Sequence, residues 1–344
     1  MHPPEPAAPP PQPQLVAIDA PVLPPSAVPQ TWAVSVADAK YHWYDLIAGF
    51  PQAPDIRDPI GRYQRRMQFD LEAAAAKRML YFVVTRPRVR FDTSRSVQWG
   101  FFSLKLTLPL LVGMGEMREN LTIELEVPFA ATMKKPSVTL SEKFVTLNWG
   151  GLVEALSIHD VLQNYENGLK IPSKVLYVGL TWDPAARLSK GRLTEIQRLH
   201  QQHSEHHDTL ILIQQIAVAA SSELGDPAQW PAYQFEAAAD ALEAERIEAV
   251  AAALSRYFEG PNPRTRNHEE KSLRNTRLRA IQASQQVTQM RLDVQWPQTG
   301  NYRYLVSDHA SSAQRHLLHC AIVDGEAIVT PSELPAKSAK GAEA

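Results

Sequence analysis

Cysteine is almost absent from this 344-residue chain: Cys320 stands alone. No internal disulfide can form, and no cysteine zinc site or paired-cysteine redox centre is available. That usage fits a reducing, cytoplasmic setting. Cys320 lies in the apolar stretch His316-Leu317-Leu318-His319-Cys320-Ala321-Ile322-Val323, which reads as a small buried hydrophobe rather than a nucleophile. Long apolar runs are missing too. The longest, Leu106 to Gly115, holds about ten residues and is interrupted by Pro109, whereas a membrane-crossing helix needs roughly 20, so no membrane association is expected. No basic region followed by an apolar core marks a secretory leader. Charge of one sign is also lacking: the formal net charge is -2, so any surface for nucleic acid must be local. There is no glycine-rich phosphate loop, no nucleophile elbow and no paired zinc motif, which argues against a nucleotide-driven motor.

What is present is an ordinary globular composition, 44% apolar and 21% charged, with two atypical ends. Residues 1–29 carry eleven prolines and read as an extended, unpacked tail. Residues 332–344 read as a second disordered tail. Between them the patterning divides in two. Residues 30–149 read as a β-rich domain entered through one or two helices. Asp58-Pro59 starts a helix reaching to about Met79, and strands follow at Leu80 to Thr85, Phe101 to Leu111, Leu121 to Val127 and Ser137 to Trp149. The period-two alternation from Leu121 to Val127 is clear, and short turns between strands imply antiparallel pairing. Residues 150–331 read as a mixed αβ domain. It comprises a helix from Leu152 to Gly168, a strand from Lys174 to Leu180, a polar helix from Leu193 to His206 and an apolar strand from Thr209 to Ala219. A long helix from Tyr233 to Phe258 follows, with Ile247, Val250, Leu254 and Phe258 on one face, then a basic helix from His268 to Met290. The fold class expected is α+β.

One segment carries chemistry. Lys174-Val175-Leu176-Tyr177-Val178-Gly179-Leu180-Thr181 is a strand, with Gly179 allowing a sharp turn without a Cβ. Asp183-Pro184 then caps and opens a helix. That helix presents Arg187 beside the strand end, where a guanidinium can meet a phosphate in bidentate fashion. This segment resembles the second half of the GIY-YIG nuclease signature, with Tyr177 and Arg187 at the family's spacing. The resemblance implies a nucleic-acid phosphodiesterase site with Tyr177 and Arg187 catalytic, and a second tyrosine for which Tyr165 has the nearest separation. It also implies a Mg²⁺-binding glutamate on a later helix, where Glu248 fits best among Glu243, Glu245 and Glu248. Ala251 occupies the position at which the family pattern places that carboxylate. Asn262 and Asn267 both fit a terminal asparagine.

Two further clusters bear on function. Arg264, Arg266, Lys271, Arg274 and Arg277, with Arg279, form a basic stretch that reads either as a surface for a phosphate backbone or as a solvated helical face. Arg62, Arg65, Arg66, Lys77 and Arg78, followed by Arg86, Arg88, Arg90 and Arg95, form a second. His200, His203, His206 and His207, with Glu205 and Asp208, can be a transition-metal site or a solvated helix end. The alternative to a nuclease is a non-enzymatic interaction protein whose β-rich part binds a protein partner.

Overall fold

The structure is a computed structural model that describes residues 29–48, 54–73, 79–128, 135–165, 169, 171–181, 194–221, 240–263, 268–297 and 300–332. Both expected terminal tails lie almost wholly outside these residues. The class is α+β. The strands are β1 (Gln30–Trp43), β2 (Met79–Pro87), β3 (Val89–Phe91), β4 (Gln98–Trp99), β5 (Lys105–Val112), β6 (Met117–Glu124), β7 (Ser137–Leu140), β8 (Phe144–Asn148), β9 (Val153–Ser157), β10 (Ser173–Thr181), β11 (His207–Ser221), β12 (Val287–Gln295), β13 (Leu305–Val306), β14 (Arg315–Val323) and β15 (Glu326–Pro331). The helices are α1 (Tyr44–Ala48), α2 (Pro59–Ala73), α3 (Ile158–Asn164), α4 (Thr194–His203), α5 (Asp240–Glu259) and α6 (His268–Gln285), with a 3₁₀ turn at Gly300–Arg303. Among the described residues no helix is long and apolar enough to cross a membrane.

Eight strands form the main sheet in the order β13-β10-β2-β11-β1-β12-β14-β15. The expected boundary near residue 149 therefore separates strands that are hydrogen-bonded neighbours: β2 lies between β10 and β11, and β1 between β11 and β12. The segment from Thr31, expected to open in helix, is instead the 14-residue strand β1. Its alternation is broken at Val36/Asp38 by a register shift against β11. Such a bulge inverts which residues face the core and hides the period-two pattern from a reading of the chain alone. Two small antiparallel sheets complete the fold: β3 and β4 flank one side of β5 with β6 on the other, and β7-β8-β9 is a meander.

Local signals set several boundaries. Asp58 accepts the Gly61 N–H at 2.9 Å and caps α2. The stretch from Leu152, expected to be helical, splits into β9 and α3 because Ser157 and Asp160 form a reciprocal capping box that starts the helix at Ile158. The basic helix stops at Gln285, since Gln286 adopts φ 51° and the chain leaves to pair with β1. The apolar face expected on α5 is buried in full: Ile247, Val250, Leu254 and Phe258 are each under 5% exposed, packed against β10, β2 and β11. Cys320 is buried on β14, and burial pushes its thiol up to about 12, in keeping with an inert core residue.

A charged cluster joins the main sheet to β3 and to helix α3. Asp208, at the start of β11, receives Nη1 and Nη2 of Arg90 at 2.8 Å each, the Val89 N–H at 3.2 Å and Nε2 of His159 at 3.1 Å. A carboxylate only accepts, so Nε2 of His159 donates to it, while Nδ1 shares a hydrogen bond with the Tyr302 hydroxyl. The Arg86 guanidinium lies 3.8 Å over the Tyr302 ring and donates to Ser173 at 2.9 Å. Arg86, Arg90, His159 and Asp208 are all buried.

Candidate functional site

The residues singled out around Tyr177 meet at a groove between β10, α5 and α6. Strand β10 carries a bulge between Val175 and Tyr177 in its pairing with β2. The Val178 N–H turns to α5, where Glu259 Oε1 accepts it at 2.9 Å; the same oxygen accepts the Ser255 hydroxyl at 2.8 Å. This buried carboxylate fixes the strand against the helix just where Tyr177 and Val178 reach the groove. The groove encloses about 190 Å³, and Tyr177, Gly179, Glu248, Ala251, Arg274 and Arg277 are among the residues along it. Its floor is apolar, from Val178, Leu180, Ala252, Leu278 and Ile281.

Three separate segments thus bring four predicted site residues together: Tyr177 from β10, Glu248 from α5, and Arg274 and Arg277 from α6. Arg277 Nη1 donates to Glu248 Oε1 at 2.9 Å. Glu245, three residues earlier, is committed elsewhere, accepting from Ser284 and Gln285 at 3.0 and 2.9 Å to tie α5 to α6. Lys271 lies on α6 but does not line the groove. Tyr165 is at the C-cap of α3, away from the groove lining; burial, then the charges of Glu154 and Glu126, raise its pKa. Tyr81 on β2 stands beside Tyr177, with ring centroids 6.1 Å apart. Asp183, Pro184, Arg187, Arg264, Arg266 and Asn267 lie outside the described residues. Asn262 is exposed beyond the end of α5.

Gly179 has a role the sequence did not reveal. The strand runs extended through it to Thr181, with no left-handed φ. A Cβ there would lie 2.3 Å from Cζ and 2.5 Å from the hydroxyl of Tyr81, and 2.7 Å from Tyr177 Cε1. Glycine is required by two aromatic rings rather than by a turn.

The other clusters resolve differently. Arg86 and Arg90, expected to belong to a basic surface, are buried in the Asp208 cluster and cannot meet a polyanion. The histidine run does not assemble a metal site: among the described residues no three metal-ligating side chains gather. His200 faces Thr209 at 3.2 Å and Asp45 at 3.4 Å, while His203 and His207 stand edge to face at 6.1 Å. Asp208, read as part of a solvated helix end, is fully buried. His159 and Tyr302, which the sequence did not single out, and the buried role of Asp208 could be found from sequence only by pairing positions 49 to 143 residues apart, for which no local pattern exists. No family model, no curated protein and no solved structure matches this chain.

Proposed function

We propose that the chain is a nucleic-acid-binding protein that holds a sugar–phosphate backbone at the groove of β10, α5 and α6, a site laid out like a degenerate GIY-YIG phosphodiesterase. The observation that carries this reading is the convergence of Tyr177, Glu248, Arg274 and Arg277 from three distant segments on one groove. The Arg277 side chain is 58% exposed and Glu248 20%. An ion pair this open to water contributes at most about 1 kcal/mol, so a phosphate can take Arg277 from Glu248 at little cost and gain a fork-shaped, charge-assisted hydrogen-bond pair. Arg274 extends the cationic edge by one helical turn, and in sequence Arg264 and Arg266 continue it.

Among the described residues two carboxylates line the groove, Glu248 and Glu270. Glu248 is engaged by the Arg277 guanidinium, and Ala251, one turn on, offers no side-chain oxygen. Magnesium is ordinarily held by one or two carboxylates together with substrate phosphates; Glu248 and Glu270 would be the residues to hold it, and we derive binding of the backbone here and no hydrolytic step.

Fluorescence anisotropy with single- and double-stranded DNA and RNA across a salt series tests this. Changing Lys271, Arg274 and Arg277 together to glutamine is expected to weaken binding. It should also flatten the plot of log affinity against log salt by about 0.9 for each duplex phosphate that the protein no longer neutralises. Unchanged affinity and slope would remove α6 from the interface. Wild-type protein that binds none of the four nucleic acids at low salt would favour the second reading, a protein-interaction module. That reading draws on Phe101 and Phe102, 85% and 95% exposed and packed edge to face at 4.5 Å on the β-rich part; apolar surface so placed is a common mark of a partner interface.

A further inference from the structure

A second and larger cleft, of about 670 Å³, opens where β3, the 113–116 hairpin turn of β5 and β6, the turn before β8 and the end of α4 converge. Loops from several elements meeting at one cavity are a common arrangement for ligand sites. Its wall holds four carboxylates, Asp92, Glu116, Glu142 and Glu205, against two available cations, Arg88 and Arg118. Arg90 also borders it, but its charge is satisfied by the bidentate bond to Asp208. The lining therefore carries an excess of negative charge, in a cleft independent of the groove at Tyr177.

Acidic surface alone would specify nothing. Asp92 adds the specific feature. Its side chain is only 4% exposed, and its two oxygens are treated unequally. Oδ1 accepts the Ser94 N–H at 3.1 Å and the Ser94 hydroxyl at 2.5 Å. Oδ2 is shielded from water and has no hydrogen-bond donor among the described residues. The nearest cation, Arg118 Nε, stands 3.6 Å away, beyond hydrogen-bond reach, and the Arg118 side chain is 68% exposed. The Ser94 hydrogen bonds, and then the charges of Arg118 and Arg95, hold the Asp92 carboxyl below the usual carboxylate range against the effect of burial. The group is thus an ionised carboxylate with one oxygen lacking a donor, an arrangement that native proteins seldom leave unfilled.

We propose that this cleft binds a ligand through an ammonium or guanidinium group that donates to Asp92 Oδ2 and displaces the loosely held Arg118. Arg118 is a poor occupant because its long exposed side chain gives up rotamer freedom without completing a hydrogen bond. A competing cation brought in with its own binding surface meets no such cost from the protein. Two sources offer this chemistry, a free amine and the basic side chain of a peptide.

Calorimetric titration of the full chain with spermidine, with capped lysine and arginine peptides, and with a capped acetyl-lysine peptide as the neutral control separates them. Saturable binding by at least one cationic probe and none by the control is expected. Spermidine alone binding would assign a free amine, and the peptides binding would assign a protein side chain. Asp92→Asn keeps the Ser94 hydrogen bonds to Oδ1 and should weaken binding by about 10-fold or more, as removal of a charge-assisted bond does. Arg118→Ala should tighten it, because a competitor has gone, and a purely structural role for either residue would not produce that gain. Should Asp92→Asn fail to fold, the Arg118→Ala titration decides alone. No saturable binding, binding indifferent to Asp92→Asn, or weaker binding in Arg118→Ala would overturn the proposal.

Discussion

Asp208→Asn is expected to lower the stability of the fold by about 3–5 kcal/mol, the cost of leaving a buried charge without its partner. The Arg90 guanidinium would keep its charge at 8% exposure, facing an amide that can accept one bond where the carboxylate accepts two from Arg90 alone. The same change loosens Val89 on β3 and His159 on α3, so β3 and α3 lose their shared anchor to the main sheet. Chemical denaturation of both proteins measures the difference. A loss below about 1 kcal/mol would show that the cluster contributes little beyond what an exposed pair does.

The pH dependence sharpens this test. Burial alone would raise the Asp208 pKa, but the hydrogen bond and charge of His159, and then those of Arg90, outweigh it and hold the carboxyl well below the ordinary aspartate value. A folded-state pKa below the unfolded one stabilises the fold above the unfolded value, about 3.9, and that contribution fades as pH falls toward the folded value. His42 and His316 act at milder acidity. Burial lowers both to about 4, so each favours the fold when neutral, and its contribution declines as pH drops from about 6.5 toward 4. Wild-type stability should therefore fall in two stages on acidification. Asp208→Asn should keep the upper stage and lose most of the lower. A variant curve parallel to the wild type below pH 4 would contradict the assignment.

Gly179→Ala is expected to cost about 1–3 kcal/mol, the range for overpacking a filled core, with valine at the same position worse. The added methyl would meet the Tyr81 and Tyr177 rings at under 3 Å. Tyr81 is 3% exposed, so its ring has no solvent to swing into. If the clash with Tyr81 is the cause, Tyr81→Leu should absorb part of the penalty. The double variant would then be more stable than the sum of the two single changes, the mark of directly touching residues. Strict additivity would place the strain elsewhere. Because Tyr177 borders the groove, the single variant should also alter nucleic-acid binding in the anisotropy assay, whereas Tyr165→Phe, distant from the groove lining, should not.

The pieces of the candidate groove were legible because each is local. Tyr177 and Gly179 belong to one apolar strand, Glu248 sits on a helix with a clear buried face, and Arg274 and Arg277 lie on a segment whose charge pattern is plain. That these elements share one groove depends on how α5 and α6 lie against β10, which no short-range pattern encodes. Tyr165, expected near Tyr177 from its closeness in sequence, lies at the end of α3, and the aromatic ring beside Tyr177 is that of Tyr81 on β2, which the antiparallel register sets opposite Gly179.

The chain by itself determined the α+β class, the buried stripe of α5, the cap at Asp58 and the apolar character of β10 and β11, since each follows from side-chain type at spacings of two to four residues. Only the tertiary structure decided that β1 and β2 enter the same sheet as β10 to β15, that Arg86 and Arg90 are interior rather than surface cations, and that Asp208 anchors β3 and α3 to the main sheet. The physical reason is range. Periodicity and capping are encoded over a single turn or strand, while a buried ion pair takes its value from a partner 118 residues away and from the exclusion of water around both, and neither exists until the chain has folded.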